Sequence, residues 1–429
     1  MTFRSFGRVA LASAFTLGLA TLPTSCGGGH SIDYMYVLGT SPCAIYAFGI
    51  NSNNGAIAPA STAITSCPSG TSNPVGAVVS PDYKYLYVLY GPDGQAGTIQ
   101  SYSVNHNSGS ITPLSTYTTA GEKSATLAID PGGKYLYAVD TYAAGAGSGP
   151  GVLSFYSISG SGALAAPTCS GGTVVNTACS YPVGYAPVGA AQLFNGTYVY
   201  VTNSGSSSVP CSGTVSGYAV AAAGLTPIAF AVPKGACPNG ATTPVPANSL
   251  PMGVQPQGIT TDPSSSFVFI TDYQQSELYS SQVNSSTGNL FAGTTGGVTG
   301  QGYPVGKLPQ NVIVEPRGQY VYVSNSGGNT ISAFVLAKST GALSAVSGGT
   351  YNTGAQPLCL AVEPLQGDFL YVVNYLSGNI NGFSLTGNTG QLGAAGVPNQ
   401  PFAVAGSSSS APVCLAISAT GPTPIPGTP

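Results

Sequence analysis

The sequence predicts an all-β fold, a seven-bladed β-propeller built from four-stranded antiparallel blades, and three observations support this. The 429 residues include 60 Gly and 34 Pro, too many for a mostly helical chain. Hydrophobic residues reach 43% and Tyr alone numbers 26, so the material for a core is present. One unit of sequence recurs along nearly the whole chain, which is the pattern of a repeat fold.

The clearest repeat unit runs from Pro309 to Leu343 and returns from Pro357 to Leu392. Each copy holds an apolar run after the Pro, then an aromatic-x-aromatic stretch, then ISAFVL or INGFSL, and then a segment after a TG-x-L turn. Alternating apolar residues, aromatic enrichment and Gly, Asn or Pro at each break are typical of strands. Each unit is therefore predicted to form one blade of four antiparallel strands.

The earlier units keep the same spacing of proline and aromatic residues. The predicted first strands begin at Pro74, Ser124, Pro187, Pro256, Pro309 and Pro357, and the predicted second strands at Tyr85, Tyr135, Tyr198, Phe267, Tyr320 and Phe369. This register gives six complete blades.

The two ends of the repeat region are incomplete in complementary ways. Residues 34–57 supply strands two, three and four of a unit, and the segment that begins at Pro412 supplies a lone first strand. Together they complete a seventh blade, so the C-terminal strand is predicted to join the N-terminal blade and remove two exposed edges. We expect a single propeller over residues 34–421, followed by a Pro-rich tail over 422–429.

Residues 1–25 have the features of an export signal, since Arg4 and Arg8 precede an apolar run. Residues 26–33 read as a Gly-rich tether that begins at Cys26, and the junction resembles the lipobox of bacterial lipoproteins, in which the Cys is acylated. The alternative is ordinary cleavage and free secretion. No second apolar segment is long enough to span a bilayer, so membrane contact is expected only through an N-terminal lipid. The predicted location is extracytoplasmic, either anchored to the bacterial cell envelope or secreted.

The charge balance excludes several classes of partner. The chain carries 9 Lys and Arg against 12 Asp and Glu, a net charge of -3, which gives no electrostatic basis for binding nucleic acid. We expect a monomer with no cofactor, although a divalent cation bound in the channel is left open.

Eight cysteines follow Cys26, and an even count in an exported chain indicates disulfides. Equivalent places in the repeat suggest how they pair, and no metal site is predicted because no His lies near them and no CxxC occurs. The predicted disulfides are Cys43–Cys67, Cys169–Cys179, Cys211–Cys237 and Cys359–Cys414.

The candidate functional face is the one where the long linkers between blades emerge, because loops on a rigid scaffold usually carry binding sites. Asp140 and Asp272 end two of the second strands there, and we consider them as a general base and as a ligand for a cation or hydroxyl. The alternative is that both form Asx turns that terminate their strands. The candidate ligand-binding residues on the same face are Tyr90, Asn203, Gln257, Gln310, Asn311, Asn325 and Asn374.

The second-strand motif, YVYVTN at residues 198–203, together with the TG-x-L turn, resembles the lactonase-type seven-bladed propellers. That group includes 6-phosphogluconolactonases and is related to YVTN-repeat surface proteins. The resemblance implies the fold and suggests lactone hydrolysis. The cytoplasmic lactonases are expected to use His and Arg near the channel, whereas here Arg317 and His106 fall in turns away from it.

Two functions follow from these observations. The first hypothesis is an exported, lipid-anchored propeller that acts as a non-enzymatic binding or scaffold module at the cell envelope, with a glycan, polymer or protein as its partner. The alternative is a lactonase-like hydrolase that acts on a lactone or related ester through Asp140 or Asp272. The sequence leaves open whether the protein is an enzyme.

Overall fold

A computed structural model describes most of the chain after the N-terminal segment. The described residues are 31–40, 43–65, 67–68, 71, 73–91, 94–206, 208–209, 212–230, 248–292, 302–364, 366–393, 397–398, 400–404 and 412–419. The predicted export signal, the tether with Cys26, the pair Cys211–Cys237 and the tail at 422–429 lie outside these residues. Among the described residues there is no helix that could cross a membrane.

The described residues form strands arranged in six antiparallel sheets. The first sheet holds β1 (Ser31–Thr40), β2 (Cys43–Asn51), β3 (Ile57–Pro59) and β32 (Pro412–Ala419). The second holds β4 (Pro74–Val79), β5 (Tyr85–Tyr90), β6 (Ala96–Val104), β7 (Ile111–Ile129), β8 (Tyr135–Ala143), β9 (Pro150–Ile158), β10 (Leu164–Ala165), β11 (Thr173–Val175) and β12 (Ala178–Tyr185).

The other four sheets are one blade each. The third holds β13 (Pro187–Gln192), β14 (Tyr198–Asn203), β15 (Thr214–Ala221), β16 (Gly224–Pro227) and β17 (Ser249–Pro251). The fourth holds β18 (Pro256–Thr261), β19 (Phe267–Asp272), β20 (Glu277–Val283), β21 (Leu290–Ala292) and β22 (Tyr303–Pro304). The fifth holds β23 (Pro309–Val314), β24 (Tyr320–Asn325), β25 (Thr330–Leu336) and β26 (Leu343–Asn352). The sixth holds β27 (Pro357–Val362), β28 (Phe369–Asn374), β29 (Asn379–Leu385), β30 (Leu392–Gly393) and β31 (Phe402–Ala403).

The second sheet contains two blades because one strand serves both. β7 is 19 residues long and forms the last strand of blade 2 and the first strand of blade 3. Ser124, where a first strand was predicted to begin, therefore lies inside β7. The other first strands begin at the predicted Pro and the six predicted second strands at the predicted aromatic residue, so the seven-bladed fold is confirmed.

The propeller closes through its two ends. β32 pairs antiparallel with β1, which places the C-terminal segment as the innermost strand of the N-terminal blade. Around the axis β32 contacts β4, β4 contacts β7, and the contacts continue through β13, β18, β23 and β27 back to β32. These innermost strands form an unbroken ring, as the sequence predicts.

Among the described residues, five of the seven interfaces between neighbouring blades carry the same hydrogen bond, which we call the latch. The second aromatic residue of the aromatic-x-aromatic stretch donates its hydroxyl to a glycine carbonyl in the turn between strands three and four of the next blade. The pairs are Tyr36 and Gly109 at 3.1 Å, Tyr87 and Gly162 at 2.9 Å, Tyr200 and Gly288 at 2.8 Å, Tyr322 and Gly390 at 2.9 Å, and Tyr371 and Gly55 at 2.7 Å.

The glycine of the TG-x-L turn is required on two grounds. Gly390 has φ of +68°, a left-handed conformation that favours glycine. A Cβ there would also lie 2.2 Å from the ring of Tyr320 in the preceding blade. The turn therefore serves both the hairpin of its own blade and the packing against the preceding blade.

Four long linkers return to the sheets as extra strands, which the sequence analysis did not predict. β12, β17, β22 and β31 each pair with the third strand of the blade they leave. They extend the outer edge of that blade at the end where the next blade begins.

Candidate functional site

The central channel opens into a cavity of about 510 Å³ at the end where the innermost strands begin. All seven innermost strands contribute to its wall, so it belongs to the propeller as a whole and not to one blade. Most of the wall is apolar or backbone, and no charged side chain is among the described residues that line it. The cavity can therefore recognise a ligand by shape and by neutral hydrogen-bonding groups.

Three predicted ligand-binding residues line this cavity: Gln257, Gln310 and Asn311. Gln257 and Gln310 hold the second position of their innermost strands, and their side-chain amides have no partner among the described residues. Asn311 holds the third position, and its Oδ1 accepts a hydrogen bond from the Leu360 amide of the next blade at 3.3 Å. The cavity therefore has amide groups that can bind a ligand.

Asp140, a predicted catalytic residue, does not line the cavity. Its side chain is fully buried and accepts hydrogen bonds from the Ser124 hydroxyl, from the Ser154 hydroxyl at 2.8 Å and from the Gly121 amide at 3.1 Å. Desolvation by burial raises the pKa of Asp140 despite these donors. The carboxyl group joins strands within blade 3 and is not exposed to a ligand in the channel.

Asp272, the second predicted catalytic residue, is also fully buried and absent from the cavity wall. Its carboxylate accepts four backbone amides that belong to two loops. They are Val254 at 2.5 Å, Gln255 at 3.1 Å, Gln274 at 3.0 Å and Gln275 at 2.8 Å. This is the Asx-turn role that the sequence analysis gave as the alternative.

The remaining predicted ligand-binding residues, Tyr90, Asn203, Asn325 and Asn374, end second strands and are buried. Each bonds to the third strand of its own blade, so the set forms a structural layer beneath the surface. The partners are Tyr102 for Tyr90, Thr214 and Ser216 for Asn203, Thr330 and Ser332 for Asn325, and Asn379 and Asn381 for Asn374.

Two of the predicted disulfides are present, Cys43–Cys67 and Cys169–Cys179, with Cα–Cα distances of 5.8 and 5.2 Å. The predicted bond between Cys359 and Cys414 is not present, since both are free thiols. Their strands are neighbours as expected, but both sulfurs face the carbonyl oxygen of Leu415, at 4.0 and 3.6 Å. The two thiols therefore contact each other and this oxygen without a covalent bond between them.

These two thiols line the channel cavity and are its titratable groups among the described lining residues. The hydrogen bond from Cys359 lowers the pKa of Cys414, and the same contact together with burial raises the pKa of Cys359. The sequence did not single out Cys359 and Cys414 as thiols of a candidate site. The available signal was that Asn311, Cys359 and Cys414 hold the third position of consecutive innermost strands.

Comparison with known proteins supports the fold and places the chain in a family. The sequence pattern of the family described as Lactonase, 7-bladed beta-propeller, matches residues 35–170 and 235–404. The chain belongs to this family. No curated protein was found to match the sequence.

Solved structures of the same architecture come from several bacteria. The periplasmic gluconolactonase PpgL of Pseudomonas aeruginosa superposes with a TM-score of 0.66 at 17% identity, covering 91% of this chain and 100% of its own. A protein of Bacteroides uniformis that carries the name 6-phosphogluconolactonase gives 0.63 at 17% identity, with 90% and 100% covered. A functionally unknown protein of Desulfotomaculum acetoxidans gives 0.62 at 16% identity, with 90% and 99% covered. At these identities the likeness shows the fold alone.

Proposed function

We propose that this family member is a lactone hydrolase whose central channel holds a neutral, polyhydroxylated lactone. The observation that carries the proposal is the cavity of about 510 Å³ lined by Gln257 and Gln310, whose side-chain amides have no partner among the described residues. Amides both donate and accept hydrogen bonds, as hydroxyl groups on a lactone ring require. Family membership favours a lactone over other polyhydroxylated ligands.

A neutral substrate fits the cavity better than a phosphorylated one. A buried phosphate needs a cationic donor to offset its desolvation, usually Arg or Lys. Arg317 lies in a turn at the far end of the propeller, where its Nη2 is 2.9 Å from Asp368 Oδ1. The described cavity wall supplies no such donor, which is why we propose an uncharged ring.

The thiol pair provides the chemistry in this proposal. Cys414 as thiolate attacks the lactone carbonyl carbon, the ring C–O bond breaks, and Cys359 gives its proton to the departing alkoxide. Water then hydrolyses the thioester: its oxygen and one hydrogen complete the carboxyl group of the hydroxy acid, its other proton returns to Cys359, and Cys414 leaves as the thiolate. Cysteine suits this role because it is nucleophilic even where only a small fraction is ionised.

A lactonase assay on the chain with D-glucono-1,5-lactone and its 6-phosphate tests the proposal. We expect turnover of the neutral lactone, a loss of roughly 100-fold or more in Cys359→Ala, and no turnover in Cys414→Ala. Loss of one amide in Gln310→Ala should raise KM by about tenfold, the effect of one hydrogen bond. The matched control is Asp140→Asn, which should turn over normally because Asp140 is absent from the cavity.

The outcomes separate the parts of the proposal. Full activity in Cys414→Ala would contradict the role of the thiols, and preference for the phosphorylated lactone would contradict the neutral substrate. Failure of any lactone to bind would contradict the function itself.

The second candidate is a non-enzymatic binding module, and one observation favours it: Asp140 and Asp272, the carboxylates that the sequence offers for catalysis, are both held in structural hydrogen bonds. Its signature would be lactone or glycan binding in the channel with no turnover. We also propose an extracytoplasmic protein, lipid-anchored or secreted, because the disulfides Cys43–Cys67 and Cys169–Cys179 suit an oxidising compartment.

A further inference from the structure

A second cavity, of about 280 Å³, lies between blades 3 and 4 at the opposite end of the propeller from the channel mouth. Its wall combines the turn after β7, which includes Asp130 and Lys134, with the turn after β13, which includes Phe194 and Asn195. The outer hairpin of blade 4, at residues 220–222, completes it. None of these residues belongs to the channel site.

The cavity lies at an interface that lacks the latch. Ala223 holds the place of the latch glycine, and its carbonyl accepts the amide of Ser170 at 2.8 Å instead. Tyr137, which holds the place of the latch tyrosine, is buried and its hydroxyl has no partner among the described residues. Blade 4 thus leaves this interface less closed than its neighbours.

The hairpin of blade 4 is also shorter than its equivalents. The pair Val220 and Leu225 is five positions apart, whereas the equivalent pair Val283 and Leu290 in blade 5 is seven apart. Residues that would cover the space between blades are therefore missing.

Asp130 has a carboxylate oxygen left free for a ligand. At the equivalent place in blade 6, Glu315 uses both oxygens, which accept the amides of Arg317 at 2.8 Å and Gln319 at 2.7 Å. Asp130 Oδ2 accepts the Lys134 amide at 2.9 Å, while Oδ1 has no partner among the described residues. The residue is buried, yet this acceptor is available at the cavity.

The surrounding groups complement that acceptor. Asn195 Oδ1 accepts the Thr197 amide at 3.0 Å, so its Nδ2 is left as a donor, and Lys134 adds a second, exposed donor. Phe194 is 51% exposed, which is unusual for a large apolar side chain beside a cavity. An acceptor, two donors and an aromatic face match the hydroxyl edge and the C–H face of a sugar ring.

We propose that this cavity is a binding site for a neutral hydroxylated molecule of monosaccharide size, separate from the channel. Asp130 accepts hydrogen bonds from ligand hydroxyls, Asn195 and Lys134 donate to others, and the ring packs on Phe194. The opposite charges of Asp130 and Lys134 balance, which favours an uncharged ligand over an acid or an amine.

The test is calorimetric titration of the full chain with glucose, galactose and N-acetylglucosamine. We expect at least one to bind, with affinity reduced at least tenfold in Asp130→Asn, which replaces the free acceptor by a donor. Phe194→Ala should also weaken binding, and because Phe194 is half exposed this variant is safe for folding. Gln310→Ala, in the channel, is the control and should bind the sugar normally.

Three results would overturn the proposal. They are absence of binding for all three sugars at millimolar concentration, unchanged affinity in both Asp130→Asn and Phe194→Ala, and loss of affinity only in Gln310→Ala. The last result would assign the sugar to the channel.

Discussion

Asp140 is a charged residue in a position that most other blades fill with a neutral one, Asp272 of blade 5 being the other carboxylate there. Asn203 is its counterpart in blade 4, where Nδ2 donates to Ser216 and Oδ1 accepts the Gly184 amide at 3.0 Å. Asp140 bonds to the corresponding groups, Ser154 and Gly121. Asparagine therefore fits the hydrogen-bonding pattern at this position without a buried charge.

We predict that Asp140→Asn raises the free energy of unfolding at pH 7 by about 1 kcal/mol, since a buried charge without a counter-ion is replaced by a neutral group. Burial raises the pKa of Asp140, so the folded chain keeps this proton to higher pH than the unfolded chain. The contribution of Asp140 to stability is therefore fully present below the unfolded pKa of about 3.9 and is lost as pH rises through the folded value. Urea unfolding at several values between pH 7 and pH 3 should show that the stability gained by Asp140→Asn becomes smaller as the pH falls.

The matched control for this prediction is Asp272→Asn. Asp272 accepts four backbone amides, and the NH₂ group of Asn cannot accept, so this change should destabilise the fold at pH 7. Equal shifts in the two variants would contradict the account of Asp140.

At the scale of the blade, the latch makes the interfaces between blades testable one at a time. We predict that Tyr87→Phe lowers the free energy of unfolding by about 1 kcal/mol, because the Gly162 carbonyl loses its donor. Tyr137→Phe should be neutral or slightly stabilising, because its buried hydroxyl has no partner among the described residues. Denaturant unfolding of the two variants measures what the latch hydrogen bond contributes to the free energy of unfolding. If both variants lose the same amount, the hydrogen bond contributes nothing and ring packing alone joins the blades.

Strand positions were predictable because each blade repeats one local pattern, whereas other features depend on contacts distant in sequence. The starts of β14 and β24 follow from a single aromatic residue after a turn. β22 and β31 are two residues long, too short to show a period, and they exist only because a linker reaches the edge of its blade. Short returning strands of this kind carry no local signal.

The candidate site was predictable only where its residues depend on local sequence. Gln257 and Gln310 could be placed at the channel because their strand begins there, and strand direction is local information. Asp140, predicted to end its strand on this face, lies inside β8, and its carboxyl group is buried. Whether a strand-end side chain points into a channel or into its own blade depends on Ser124 and Ser154, which lie on neighbouring strands.

At the scale of the whole molecule, closure by β32 should be essential to folding. We predict that a chain ending before Pro412 loses its cooperative thermal transition, because β1 becomes an exposed edge and the ring of innermost strands is broken. A chain ending after Ala419 is the control and should melt like the full chain. Cooperative melting of the shorter chain, followed by circular dichroism, would show that closure is dispensable.

The continuous strand β7 joins blades 2 and 3 into one hydrogen-bonded sheet. Elsewhere neighbouring blades belong to separate sheets, but here the backbone ladder runs without a break from β4 to β12. Local opening follows contiguous hydrogen-bonded units. Amide hydrogens in the two blades should therefore exchange together as one foldon. The seven blades should then open locally as six cooperative units, one for each sheet.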